Sequence, residues 1–374
     1  MKAPQATDMS SERGLSSWFR RLFNGTTAPV LSPLRAAPTL DSAPAQAHSA
    51  RAEVDSAWVQ HAPAFAPFAH ALGIEFNLPV ALTTAQQEQA LQLTDAVFEA
   101  ATRDENGPIS MPTAALRTMN LVCRPDVEVS ELASVIHQDP ALAAAVLRMA
   151  NSASMGSAVE VYTVRDAVTR LGLVESGRVA GAVAAKTLFT PSLKSAHELF
   201  AKQFNELHVA AAAAAGGAAH LAMERIVGRS DLAYLGGMLH EVGKSLGLAA
   251  LAEMMIAGRG PREVEPNVLL HVVESRHVEL GVQAHERWGL PRYLTTLCSS
   301  QNMAEVSADP AHAELHLVRV VSGLLALRIR PQSLARIAAV VQSLGLLGIT
   351  PVQARALDAS LRTRTQQVHQ VLGL

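Results

Sequence analysis

The chain has 374 residues, of which 49% are hydrophobic but only 4% aromatic, and its formal charge is −2. That length holds two or three domains and a sizeable core, while the near-neutral charge excludes broad sequence-independent nucleic-acid binding, which draws on an excess of Lys and Arg. The two cysteines, Cys123 and Cys298, exclude a disulfide framework and fit a reducing, cytoplasmic setting.

Residues 1–50 are rich in Pro, Ser, Ala and Thr, and Pro4, Pro29, Pro33, Pro38 and Pro44 block any long helix. A mostly disordered tail is expected there. One island, "SSWFRRLF", would as a helix place Trp18, Phe19, Leu22 and Phe23 on one side, beside Arg20 and Arg21. It reads either as a docking element for a partner or membrane surface or as a sticky turn in the tail. No uncharged run reaches transmembrane length, and the first 25 residues lack the apolar region of a signal peptide. A soluble, intracellular protein is expected. Residues 51–104 form a helical N-terminal extension: short helices interrupted near Pro63 and Pro67, then a longer one over about 83–103.

From Ile109 the pattern becomes regular. "SMPTAALRTMNLV" reads as a helix with Pro112 in its first turn. Ser130 is the expected N-cap of "ELASVIHQD", and Asp139 with Pro140 opens the helix "PALAAAVLRMANSA". Thr163 and Asp166 have capping-box spacing. Val164, Ala167, Val168 and Leu171 then follow at helical intervals, with Gly172 as the stop. A long helix over about 195–227 carries the run "HVAAAAAAGGAAH", whose small side chains permit close helix approach, with a kink expected at Gly216–Gly217. A further helix starts near Asp231 and carries "GGMLHEVGK". Another starts near Ser275 and ends at "WGLP", with Gly289 as its C′ residue and Trp288 as a core anchor. Residues 301–374 read as a C-terminal helical extension. No stretch alternates as a strand does, and no period repeats, so the fold class is all-α.

Four stretches carry more than helix pattern: "ISMPTAALRTMNLVCRPDVEVSELASVIHQDPALAAAVLRMANSA", "VRDAVTRLGL", "LAYLGGMLHEVGK" and "RHVELGVQAHERWGLP". Together, in this order and spacing, they resemble the HDOD domain, a bacterial signalling relative of the HD-type metal-dependent phosphohydrolases. The resemblance covers residues 105–300. It implies an all-helical domain in which an N-terminal helical half is followed by an HD-like half.

Relatives with an intact HD site hold one or two divalent ions through a His, a His-Asp pair and a later Asp. The ion lowers the pKa of a bound water, and the resulting hydroxide attacks phosphorus. On that pattern His208 stands at the first histidine, and His240–Glu241 stands at the His-Asp pair with Glu for Asp. His277 matches a later histidine of the phosphodiesterase-like members. The extra methylene moves the carboxylate by about 1.5 Å. The histidine pair usual after "WGLP" is replaced by "CSSQN", and "ELHLVRVVSGLLAL" offers Ser322 near the place of the last aspartate. His208, His240, Glu241 and His277 are therefore vestigial positions on this resemblance, with no metal and no cofactor expected; if a metal did bind, these four would be its ligands.

The residues also have plainer readings. His240 can bond a backbone carbonyl, and Glu241 can pair with Lys244 three residues on. His208 reads as a buried histidine satisfied by a neighbour. Lys244 is either a solvated helix end or a contact for an anionic ligand. Gly236, Gly237 and Gly243 suggest close helix packing, because the stretch lacks the P-loop pattern.

The expected function is a signal-transduction module that binds a signalling protein partner or a second messenger such as a cyclic dinucleotide. No hydrolase activity is expected, because the late carboxylate of the ligand set is missing, and no nucleic-acid partner, since the helix "PALAAAVLRMANSA" is poor material for reading bases. The alternative is a metal-dependent phosphohydrolase acting on a cyclic dinucleotide or another phosphoester through a rearranged site.

Overall fold

An alanine-rich helix can be buried on every side only if its neighbours come very close, and this chain builds its fold around such a helix. The computed structural model describes residues 66–73, 82–103, 113–124, 126–152, 160–188, 194–301, 303, 312–329 and 334–372. The expected tail over 1–50, with its "SSWFRRLF" island, lies outside the described residues. In chain order the helices begin with α1 (66–72), α2 (Thr84–Arg103), α3 (Thr113–Val122), α4 (Val129–His137) and α5 (Pro140–Ala150). Next come α6 (Val164–Leu188), α7 (Lys194–Leu199), α8 (Ala201–Arg225), α9 (Ser230–Leu239) and α10 (Val242–Ile256). The chain continues through α11 (Pro266–Ser275), α12 (His277–Arg287), α13 (Arg292–Ser300), α14 (Ala313–Ile329), α15 (Leu334–Leu346) and α16 (Pro351–Leu372). Among the described residues there is no strand, so the class is all-α.

Local chemistry accounts for several boundaries. Asp139 caps α5 by accepting from the amides of Ala141 at 2.8 Å and Leu142 at 3.0 Å. Thr163 and Asp166 form the expected box at the start of α6: the Thr163 hydroxyl donates to Asp166 Oδ2 at 2.6 Å and accepts from the Asp166 amide at 3.1 Å. Gly172 takes φ 75°, which breaks α6 into two helical parts at the expected stop.

Other boundaries differ from the sequence expectation. Ser130 is not the cap of α4; the helix starts two residues earlier, after Glu128, and the Ser130 hydroxyl donates to that glutamate at 3.2 Å. The expected helix over 195–227 is divided at Phe200, and α8 then runs unbroken through Gly216–Gly217. The helix expected to carry "GGMLHEVGK" stops at Leu239 and restarts at Val242. Helix α11, which periodicity did not single out, fills 266–275.

The core forms around α8. Ala212, Ala215 and Ala219 pack into a large cluster with residues of α2 through α11, while Ala214, Ala218 and Leu221 pack into a second cluster with α14, α15 and α16. Each fully buried Leu or Val in these clusters contributes about 1.5–3 kcal/mol relative to exposure. Gly237 shows why α8 is built from alanine: a methyl group there would lie 2.6 Å from Ala215 Cα, so the backbones of α8 and α9 touch. Gly243 does the same for α10 and α12, since a methyl there would lie 1.8 Å from His277 O. That contact puts His277 against the first turn of α10, beside Glu241 and Lys244.

Candidate functional site

The break between α9 and α10 consists of two residues, His240 and Glu241. Their side chains therefore project from a turn rather than from a helix face. Lys244, one turn into α10, is 0% exposed. It is thus not a solvated helix end, and its charge is met inside the protein. Lys244 Nζ donates to Glu241 Oε1 at 2.7 Å and ion-pairs with Glu274 Oε1 at 2.8 Å. Arg336 of α15 donates a further hydrogen bond to Glu241 Oε1. Two carboxylates thus face two cations in a largely buried cluster.

The electrostatics follow from that arrangement. Burial pushes the Glu241 carboxyl up, but Lys244 and Arg336 together outweigh it and hold the group well below the usual carboxylate range. Glu274 behaves alike: burial opposes ionisation, Lys244 outweighs it, and the carboxyl stays at about 2.

His240 and His277 share one bonding pattern. His240 Nδ1 lies 3.0 Å from Gly237 O, and His277 Nδ1 lies 2.7 Å from Glu274 O. A carbonyl only accepts, so each Nδ1 carries the proton and each Nε2 holds a lone pair. Both Nε2 atoms are buried and have no hydrogen-bond partner. Burial is the main cause that lowers both rings to a pKa of about 4, with the Lys244 charge adding to it. Gln301, from the "CSSQN" stretch, donates from Nε2 to His240 O at 3.1 Å and fixes the turn from the far side.

The structure therefore brings together three of the four sequence-predicted positions. His240 and His277 lie close enough to Glu241 to act on its carboxyl, along with the two cations. His208 is elsewhere on α8, half-buried; its ring is lowered to about 4, first by burial and then by Lys186 of α6. Among the described residues, no three His, Cys, Asp or Glu side chains converge so as to hold a metal ion. The donor chemistry agrees, because the carboxylate that an ion would need is already neutralised by Lys244 and Arg336. The residues present do not fit the divalent metal of an intact HD site.

Glu274, Gln301 and Arg336 were not singled out by sequence reasoning. Each left a faint signal. Glu274 and Arg336 are lone charges in apolar helical stretches, "PNVLLHVVES" and "LARIAAVV", and Gln301 sits where the usual histidine pair is missing.

Comparison with known proteins agrees with this architecture. The HDOD domain family model matches residues 109–304. An "Uncharacterized protein" of Treponema pallidum (strain Nichols) is 27% identical over 204 residues, 54% of this chain, and the match spans 38% of that protein's length. Among solved structures, an HDOD domain protein of unknown function from Geobacter sulfurreducens superposes with a TM-score of 0.51 at 19% identity, covering 76% of this chain and 99% of that one. A "Putative metal-dependent phosphohydrolase" from Shewanella amazonensis SB2B gives 0.52 at 20% identity, covering 75% and 99%. At such identities the two structures testify to the fold and not to a reaction. With a family match across more than half its length and a helical architecture throughout the described residues, this chain belongs to the HDOD domain family.

Proposed function

We propose that the chain is a regulatory module, acting in signal transduction by binding a protein partner or a second messenger such as a cyclic dinucleotide, with an HD site that no longer hydrolyses. One observation carries this reading: the Glu241 carboxylate is committed to Lys244 Nζ and Arg336. A metal ion at His240 would have to displace two cations from a buried position, and doing so would leave those cations unpaired. The tightly packed α8–α9 pair suits a module that transmits a shift in helix packing. No single helix among the described residues is long and apolar enough to cross a membrane. The two C-terminal helices reach that composition only as a pair bent by 113°, and they pack on α14, α16 also lying along α8.

A second reading, a phosphohydrolase with a rearranged site, is favoured by the two unpartnered Nε2 lone pairs of His240 and His277. It predicts stoichiometric metal on the purified protein. One experiment separates the readings. The full chain is supplied with manganese, iron or zinc and assayed on cyclic dinucleotides and simple phosphate esters. The regulatory reading expects no turnover above buffer. Turnover of about 1 s⁻¹ or faster that His240→Ala abolishes refutes it.

A further inference from the structure

Arg319 of α14 is 1% exposed, yet it is not paired as Lys244 is. Its Nη2 donates to the Met303 carbonyl at 2.7 Å, while Nε and Nη1 have no hydrogen-bond partner among the described residues. Burial alone acts on its pKa, which falls to about 10, and no carboxylate offsets it. At neutral pH the group is still a cation, because a guanidinium does not give up its proton there.

His316 and Arg319 stand at i and i+3 and share one face of α14, with His312 in the turn just before it. His312 Nδ1 is buried without a partner, and His316 Nδ1 meets Ser343 Oγ at 3.0 Å. The acid of the same segment, Glu314, is on the opposite face, where it accepts from the Arg229 amide at 2.7 Å. Among the described residues, this face thus carries a buried positive charge with no acid beside it. A buried ion without a partner is costly, and an apolar side chain of similar volume would pack there at less cost.

We propose that Arg319 is the anchor of a site for a compact oxyanion, a phosphate or carboxylate group. The oxyanion accepts from Nε and Nη1 and supplies the missing negative charge. This site shares no residue with the Glu241 cluster and stands whether or not the regulatory reading does.

The test uses the full chain at constant ionic strength, titrated with inorganic phosphate and, in a parallel arm, with acetate. Heat of binding and the thermal midpoint are read for the wild type, Arg319→Met and Arg319→Gln. The wild type should bind one anion per chain saturably, with a rise in midpoint, and each variant should bind at least about tenfold more weakly, as loss of charge-assisted hydrogen bonds predicts. A response to phosphate alone assigns a phosphoryl group; an equal response to acetate assigns a carboxylate. Should neither variant fold, the Arg Nε–H nitrogen-15 signals of the wild type decide, because a buried, slowly exchanging one must shift on titration. No saturable response to either anion, or a response unchanged in the variants, overturns the proposal.

Discussion

Lys244 and Arg319 are both cations with almost no exposure, 0% and 1%, and they are treated in opposite ways. Lys244 is set between Glu241 and Glu274, with Arg336 completing a neutral group of four charges. Arg319 is given one carbonyl and no acid. The contrast shows that burial by itself does not define the state of a charge. The first site is closed because its charges answer one another across three helices and a turn. The second is unbalanced because, among the described residues, no acid answers its guanidinium.

The largest expected effect separates the two directly. Lys244→Met leaves Glu241 and Glu274 buried with too little positive charge, and about 3–5 kcal/mol of unfolding free energy should be lost in urea denaturation. Arg319→Met, without added anion, removes an unbalanced ion and should stay within about 1 kcal/mol of the wild type. Equal losses in the two variants would break the comparison.

Acid should sharpen it, with an effect on the order of 2 kcal/mol per buried histidine. Unfolded, His240 and His277 take up a proton near pH 6.5; folded, they do so only at about 4. The unfolded chain holds more protons between these values. Stability is therefore full above pH 6.5 and declines as pH falls towards 4. Glu274 adds a second decline, from its ordinary value of 4.5 down to about 2. His277→Gln should flatten the upper limb in a series of urea melts, whereas Arg319→Met should leave the whole profile in place.

The smallest effect sets the scale. Asp139→Ala removes the cap of α5, a partly solvated contact distant in sequence from both charge sites, and about 1 kcal/mol should be lost. If that loss matched the one at Lys244, the buried cluster would be an ordinary set of polar contacts.

Legibility in the sequence followed the range of the interaction. Asp139, the Thr163–Asp166 pair and Gly172 act within four residues, and each is found where its spacing predicts. The pairing of Glu241 with Lys244 belongs to the same class. Gly237 and Gly243 were legible as close-packing positions, though not which backbone each one meets. Ser130 was misread because Glu128, two residues before it, offered its hydroxyl a carboxylate. Helix α11 was missed, and Glu274 with it.

The amino-acid order by itself determined that this chain is helical, where many of its helices begin and end, and that a His-Glu pair ends three residues before Lys244. Those properties arise from backbone sterics, capping and apolar spacing, which neighbours along the chain impose. Only the tertiary structure decided that Lys244 is buried, that Arg336 arrives from 95 residues away to bond Glu241, and that Arg319 is left without an acid. The reason is that the state of a charge depends on what surrounds it in space, and packing of distant helices sets those surroundings.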